Sequence, residues 1–107
     1  MEKPNLNYIN QLARGDQSVK EDLLLVIKTE FPEDLQTYQN SLVNFNFKNI
    51  EDIVHRIKHK FSILGLEKAY NNAVAFELSL REEVMDAEQQ RSFENTLSTI
   101  SNFISTI

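Results

Sequence analysis

Two histidines, three cationic side chains and a serine stand in one short stretch, His55-Arg56-Ile57-Lys58-His59-Lys60-Phe61-Ser62-Ile63-Leu64-Gly65. An imidazole can act as a nucleophile, a general base or a metal ligand, so its setting decides which chemistry is open to it. At about 100° per residue around a helix, Ile50, Ile53, Val54, Ile57, Phe61 and Leu64 cluster within roughly 60° of one direction. His55 then lies about 150° from that direction and is expected to face solvent or a shallow groove. Lys58 and His59 follow at three and four positions, which makes them neighbours of His55 on a helix surface. Ser62 continues the same line. The spacing predicts a narrow polar strip of cationic character, suited to an anion. A phosphoryl group on an imidazole nitrogen brings close to two negative charges, which a nearby ammonium offsets in part. On pattern alone, however, Arg56, Lys58 and Lys60 read as a solvated helix face.

Glu77 adds a second chemical feature. It lies beside Ala73, Phe76 and Leu80 on one side and Val74 on the other. A carboxylate at the edge of an apolar face needs a partner to offset its desolvation. A helical hairpin turning at Gly65 brings Glu77 back to the level of His55. There it can accept the imidazole N–H, fix the tautomer and leave the other nitrogen free. An ordinary flanking salt bridge explains Glu77 equally well.

These residues need elements to hold them, and the periodicity is helical throughout. A short helix is expected over about Asn5 to Arg14, stopped at Gly15, with Asp16 as the next N-cap. The second segment, about Gln17 to Phe45, keeps Leu24, Ile27, Phe31, Leu35, Tyr38, Leu42 and Phe45 in phase across Pro32. Proline disrupts a helix interior, so a kinked helix or two nearly continuous helices are expected. The third helix spans about Phe47 to Leu64, with Asn46 as its cap and Gly65 at its end. The fourth, about Leu66 to Val84, uses Leu66, Ala69, Ala73, Phe76 and Leu80. The fifth, about Glu88 to Thr106, uses Phe93, Leu97, Ile100 and Ile104. Short connections favour antiparallel neighbours. The expected fold class is all-α: an antiparallel up-and-down four-helix bundle with a short N-terminal capping helix, in a single domain over residues 1–107.

Composition narrows the function. The chain has 107 residues with 41% apolar content, enough for one modest core, and no cysteine. That excludes a disulfide scaffold and thiolate metal sites. The formal charge is −5 with no basic stripe, so nucleic acid is not an expected partner. Two glycines leave no room for a phosphate-cradling glycine loop. No segment reads as a signal peptide or membrane span, and a soluble cytoplasmic monomer is the expectation.

The ordered motifs resemble the histidine-containing phosphotransfer (HPt) family. The family pattern has His, an apolar residue two positions on, Lys at the third, usually Gly at the fourth and Gly at the tenth. Here His55, Ile57, Lys58 and Gly65 occupy those places. Upstream, Leu12-Ala13-Arg14-Gly15-Asp16 is similar to a Leu-x-x-Gly-Asp opening, followed by an amphipathic segment with Phe31. Downstream, Phe76-Glu77 falls where the family often has Leu-Glu. The match runs along nearly the whole chain.

The resemblance implies a phosphorelay carrier in two-component signalling, without kinase activity of its own. It implies His55 as phosphoacceptor, Lys58 as the cation that stabilises the phosphoryl group, and Glu77 as a residue that orients the imidazole. Arg56, His59 and Ser62 are the expected docking surface. The implied partners are response-regulator receiver domains and a hybrid histidine kinase. No cofactor is implied for this chain; Mg²⁺ belongs to the receiver. The chain carries no kinase or receiver sequence, which reads as a stand-alone module or an excised domain. His59 departs from the pattern at the position usually held by glycine. A second imidazole there either crowds the phosphoryl group or donates a hydrogen bond to it.

Other readings stay open. The first is an adaptor that binds receivers or other helices without accepting phosphate. The second is a transition-metal site on His55 and His59 at i, i+4, with Glu51 the nearest carboxylate on the same strip. No ordered Ser-His-Asp set supports a hydrolase.

Overall fold

The structure, a computed structural model, describes residues 2–107. It is all-helical, with no strand among the described residues. The helices are α1 (Asn7–Ala13), α2 (Gln17–Asn44), α3 (Phe47–Ile63), α4 (Glu67–Arg81) and α5 (Ala87–Ile104). Each of α2 to α4 packs on the next, and α2 also meets α5, which closes a helical bundle; α1 rests on α2. No helix among the described residues is long and apolar enough to cross a membrane.

Local chemistry sets most boundaries. Arg14 and Gly15 both take positive φ after α1, and Asp16 accepts from the Val19 N–H at 3.2 Å to open α2. Asn46 accepts from the Asn49 N–H at 3.1 Å to open α3. Gly65, at φ +78°, turns the chain from α3 into α4. Asp86, a cap not anticipated above, accepts from the Gln89 N–H at 2.9 Å and starts α5 at Ala87. Helix α4 stops at Arg81, short of the expected Val84, because Glu83 takes a left-handed φ of 60°.

Helix α4 has no side-chain cap of its own. Its first turn is served from far away: the Glu2 carboxylate accepts from Lys68 N–H at 3.1 Å and Ala69 N–H at 2.8 Å. The Asn5 N–H donates to the Leu64 carbonyl at 2.8 Å, so the N-terminal segment crosses the α3–α4 turn.

The apolar residues expected on α3 are all buried. Helix α2 differs from expectation in two ways. It runs as one 28-residue helix through Pro32, which removes the reading of two separate helices. Its buried stripe is Ile27, Phe31, Asp34, Tyr38 and Ser41, while Leu35 and Leu42 are half-buried and Phe45 is exposed. Phe45 leaves the core because it is the left-handed C-cap, where the helical repeat ends. Tyr38 enters fully and donates its hydroxyl to Glu94 at 2.8 Å. Burial raises the Tyr38 phenol far above its ordinary range, and the Glu94 hydrogen bond and charge raise it further.

Candidate functional site: an imidazole anchored on a buried carboxylate

Helix α3 lies between α2 and α4, and this position governs where its polar side chains go. With Ile57 as the centre of the apolar stripe, Lys58, Glu51 and His55 fall along one flank, about 100° to 160° round, and Lys60 and Arg56 fall on the other. The first flank faces α4. There Lys58 Nζ donates to Glu77 Oε2, and His55 Nδ1 lies 2.8 Å from Glu77 Oε1. The Lys58–Glu77 distance is 2.6 Å. Arg81, one turn beyond Glu77 on α4, donates its Nε to Glu51 at 2.9 Å and brings Nη2 to 3.5 Å from Glu77 Oε1.

Exposure differs sharply across this cluster. The side chains of Glu77 and Lys58 are 6% and 10% exposed, whereas that of His55 is 56% exposed. A buried carboxylate has its charged form disfavoured by desolvation. Here burial pushes the Glu77 carboxyl up, but the hydrogen bonds from Lys58 and His55 and their positive charges outweigh it. The net displacement is downward, so Glu77 is an anion. An ionised carboxylate only accepts hydrogen bonds. The His55 Nδ1 facing it therefore carries the proton, an assignment made from the bonding network. In neutral His55, Nε2 then holds the free lone pair.

Two expectations for the lysines are overturned. Lys58 and Lys60 are not a solvated face; both are buried. Lys60 Nζ lies 2.7 Å from buried Asp34 and 3.1 Å from Glu30, and Arg56 Nε lies 3.0 Å from the other Asp34 oxygen. The reason is that α3 has a packed helix on each side, so both edges of its apolar stripe meet a neighbour's carboxylate. The cationic strip is correspondingly narrower than expected. His55, His59 and Ser62 remain exposed along it, Lys58 is turned inward against α4, and Arg56 is turned toward α2.

His59 sits edge-on to His55, with ring centroids 5.0 Å apart and planes at 90°. The Glu51 carboxylate, the third member of the metal reading, is held by Arg81. Among the described residues, no group of three or more His, Cys, Asp or Glu side chains gathers as a metal site.

Sequence reasoning missed Arg81, Asp34 and the buried role of Lys60. Their signals were present in the spacing. Arg81 is four residues after Glu77 on one helix, and Asp34 lies in phase with Ile27, Phe31 and Tyr38. Tyr70, whose ring centroid is 5.8 Å from Lys58 Nζ, had no signal of its own.

No protein-family model matches the chain, and neither a curated protein nor a solved structure is significantly similar to it.

Proposed function

We propose that this protein is a phosphorelay carrier of the HPt type, in which His55 accepts a phosphoryl group at Nε2 and passes it on. The observation that carries this reading is the half-exposed His55 ring held through Nδ1 by buried, ionised Glu77. A nucleophile needs a fixed orientation and a free lone pair, and this arrangement supplies both.

The reaction balances with few parts. The Nε2 lone pair attacks phosphorus of an aspartyl phosphate on a receiver domain, and the N–P bond forms. The P–O bond breaks and its electron pair returns to the receiver's aspartate. The Nδ1 proton stays on the ring, which gains positive charge, and the Glu77 carboxylate offsets that charge. Such transfer depends on positioning and charge stabilisation rather than on covalent chemistry by many residues. The receiver brings Mg²⁺; this chain needs no cofactor for its part.

Lys58 takes a different role from the one first expected. Its ammonium is committed to Glu77 Oε2 and shielded from solvent. It acts as a positioning residue that keeps Glu77 ionised and in place, and it does not meet the phosphoryl group directly.

The architecture that suits this role is an antiparallel up-and-down four-helix bundle over a single domain, with α1 as a short added helix. The order of the ion pairs supports it: Glu51 with Arg81 and Lys58 with Glu77 between α3 and α4, Glu30 with Lys60 and Asp34 with Arg56 between α2 and α3. The number falls on one helix as it rises on the other. A cytoplasmic monomer served by receiver domains and a hybrid histidine kinase completes the proposal.

The test is incubation with receiver domains charged by radiolabelled acetyl phosphate. Acid-labile, alkali-stable label is expected on the wild-type chain and absent from His55→Gln. Label that never forms, or that persists in His55→Gln, sinks the assignment. Receiver binding that survives His55→Gln with no label on either chain would instead support the docking-only adaptor.

A further inference from the structure

Four basic side chains surround His55: Arg56, Lys58, His59 and Arg81. Three of them are already engaged. Arg56 pairs with Asp34, Lys58 with Glu77, and Arg81 with Glu51 and Glu77. His59 alone makes no hydrogen bond or ion pair among the described residues. It is exposed, one helical turn from His55, and its ring lies perpendicular to the His55 ring at 5.0 Å. On its far side an open groove of about 560 Å³ runs past Tyr8, Gln11, Ser62 and Glu67, which leaves the ring space to turn. Glu67 is the only charged residue lining that groove, and Tyr8 is the only other titratable one besides His59.

We infer that His59 is a phosphoryl-binding residue: its ring N–H donates to a phosphoryl oxygen carried on His55 and prolongs the life of the phosphohistidine. This inference rests on the carrier reading. The cation three residues after His55 is withdrawn into the bundle, so the group that meets the phosphoryl charge must come from elsewhere on the strip. His59 has the right position and an uncommitted donor.

The sign of the effect follows from the reaction. Loss to water breaks the N–P bond, returns the electron pair to Nε2 and joins water oxygen to phosphorus, releasing inorganic phosphate. Phosphoryl transfer passes through a loose, metaphosphate-like state. The phosphoryl oxygens lose negative charge as that state forms. A hydrogen bond to them is then stronger before bond breaking than during it, which slows hydrolysis. Transfer to a receiver would be spared where a receiver's metal replaced the His59 contact to the oxygens.

The experiment uses the full chain and phosphoramidate, a small donor that phosphorylates imidazole without any receiver. The half-life of label on His55 is followed by phosphorus NMR in wild type, His59→Ala and His59→Gln. His59→Ala is expected to shorten the half-life about three- to tenfold, the range for the net contribution of one hydrogen bond. His59→Gln, which keeps an N–H donor, is expected to restore part of it. Equal half-lives in wild type and His59→Ala, or no recovery in His59→Gln, overturn the inference. Failure of phosphoramidate to label His55 overturns the inference and the carrier reading together. Label from phosphoramidate with none from receivers overturns the carrier reading, on which the inference rests, whatever the half-lives show.

Discussion

Glu77 receives an imidazole and an ammonium from α3 and has the guanidinium of its own helix nearby, while almost sealed from water. A carboxylate in that position holds two donors, buried Lys58 and half-exposed His55, and the cost of removing it differs from the cost of removing His55. Breaking a buried pair leaves the other charge without compensation, typically at about 3–5 kcal/mol. Glu77→Gln is therefore expected to lower stability by about 3 kcal/mol, seen as a shift in the urea midpoint, because Lys58 remains buried. His55→Gln, at a half-exposed ring whose loss leaves Glu77 its bond from Lys58, is expected to cost less, about 1 kcal/mol. Equal losses in the two variants would contradict this account. The pH dependence has a definite sign. A carboxyl whose folded pKa is depressed contributes stability that is present above its unfolded value, about 4.3, and lost as pH falls through the folded value. The downward displacement of Glu77 thus predicts that the stability gap between wild type and Glu77→Gln narrows as pH falls below the ordinary glutamate range. Denaturation at a series of pH values measures it. The pairing of His55 with Glu77 was legible in the sequence as one of two equal readings, since a hairpin at Gly65 brings them to one level while a flanking salt bridge served Glu77 as well. The burial of Lys58 was not, because an ammonium at the edge of an apolar stripe looks the same whether the next helix offers it a carboxylate or water.

Helix α2 carries the clearest conflict between local preference and the observed element. Pro32 is exposed and lies inside a continuous helix. It cannot donate to the carbonyl one turn back, and its ring crowds that carbonyl. Packing of Ile27, Phe31 and Tyr38 on either side of it holds the helix together regardless. Proline in a helix interior is about 3 kcal/mol less favourable than alanine, of which a smaller unfolded-state entropy returns a part. Pro32→Ala is accordingly expected to raise stability by about 1–2 kcal/mol, measured by thermal or urea unfolding. A decrease would mean that the proline is fitted to its surroundings in a way the helix alone does not reveal. Periodicity identified α2 as helical and kept it in phase across the proline. The same periodicity admitted two neighbouring stripes, and the one containing Asp34 and Ser41 was chosen. Asp34 can face inward because Lys60 and Arg56 on α3 supply both of its oxygens with donors.

At the scale of the whole molecule, the hydrogen bonds that span the most sequence among the described residues are those that open α4. Glu2 accepts from the first turn of a helix that begins 65 positions later, at Glu67. An acidic group there satisfies unpaired N–H groups and meets the positive end of the helix dipole. Loss of such a cap typically costs about 1 kcal/mol. Glu2→Ala is expected to lower stability by about that amount, with amide exchange at Lys68 and Ala69 speeding up more than exchange in α5. Uniform exchange changes along the chain would argue against a local cap. Because α4 also carries Glu77, fraying of its start tests how rigidly the bundle holds the site from the other end of that helix.

What the sequence by itself determined is local. Helical periodicity, the Asp16 and Asn46 caps, the Gly15 and Gly65 stops and the outward face of His55 follow from chemistry within one or two turns. These features depend on neighbours a few residues apart, and any fold must honour them. The tertiary structure alone decided which charges are buried. Lys58 and Lys60 flank the same apolar stripe, yet their burial required Glu77 from α4 and Asp34 from α2. Each lies many residues away in sequence and reaches its partner only when α3 is enclosed on both sides. That enclosure withdraws Lys58 from the strip around His55 and leaves His59 as its uncommitted neighbour.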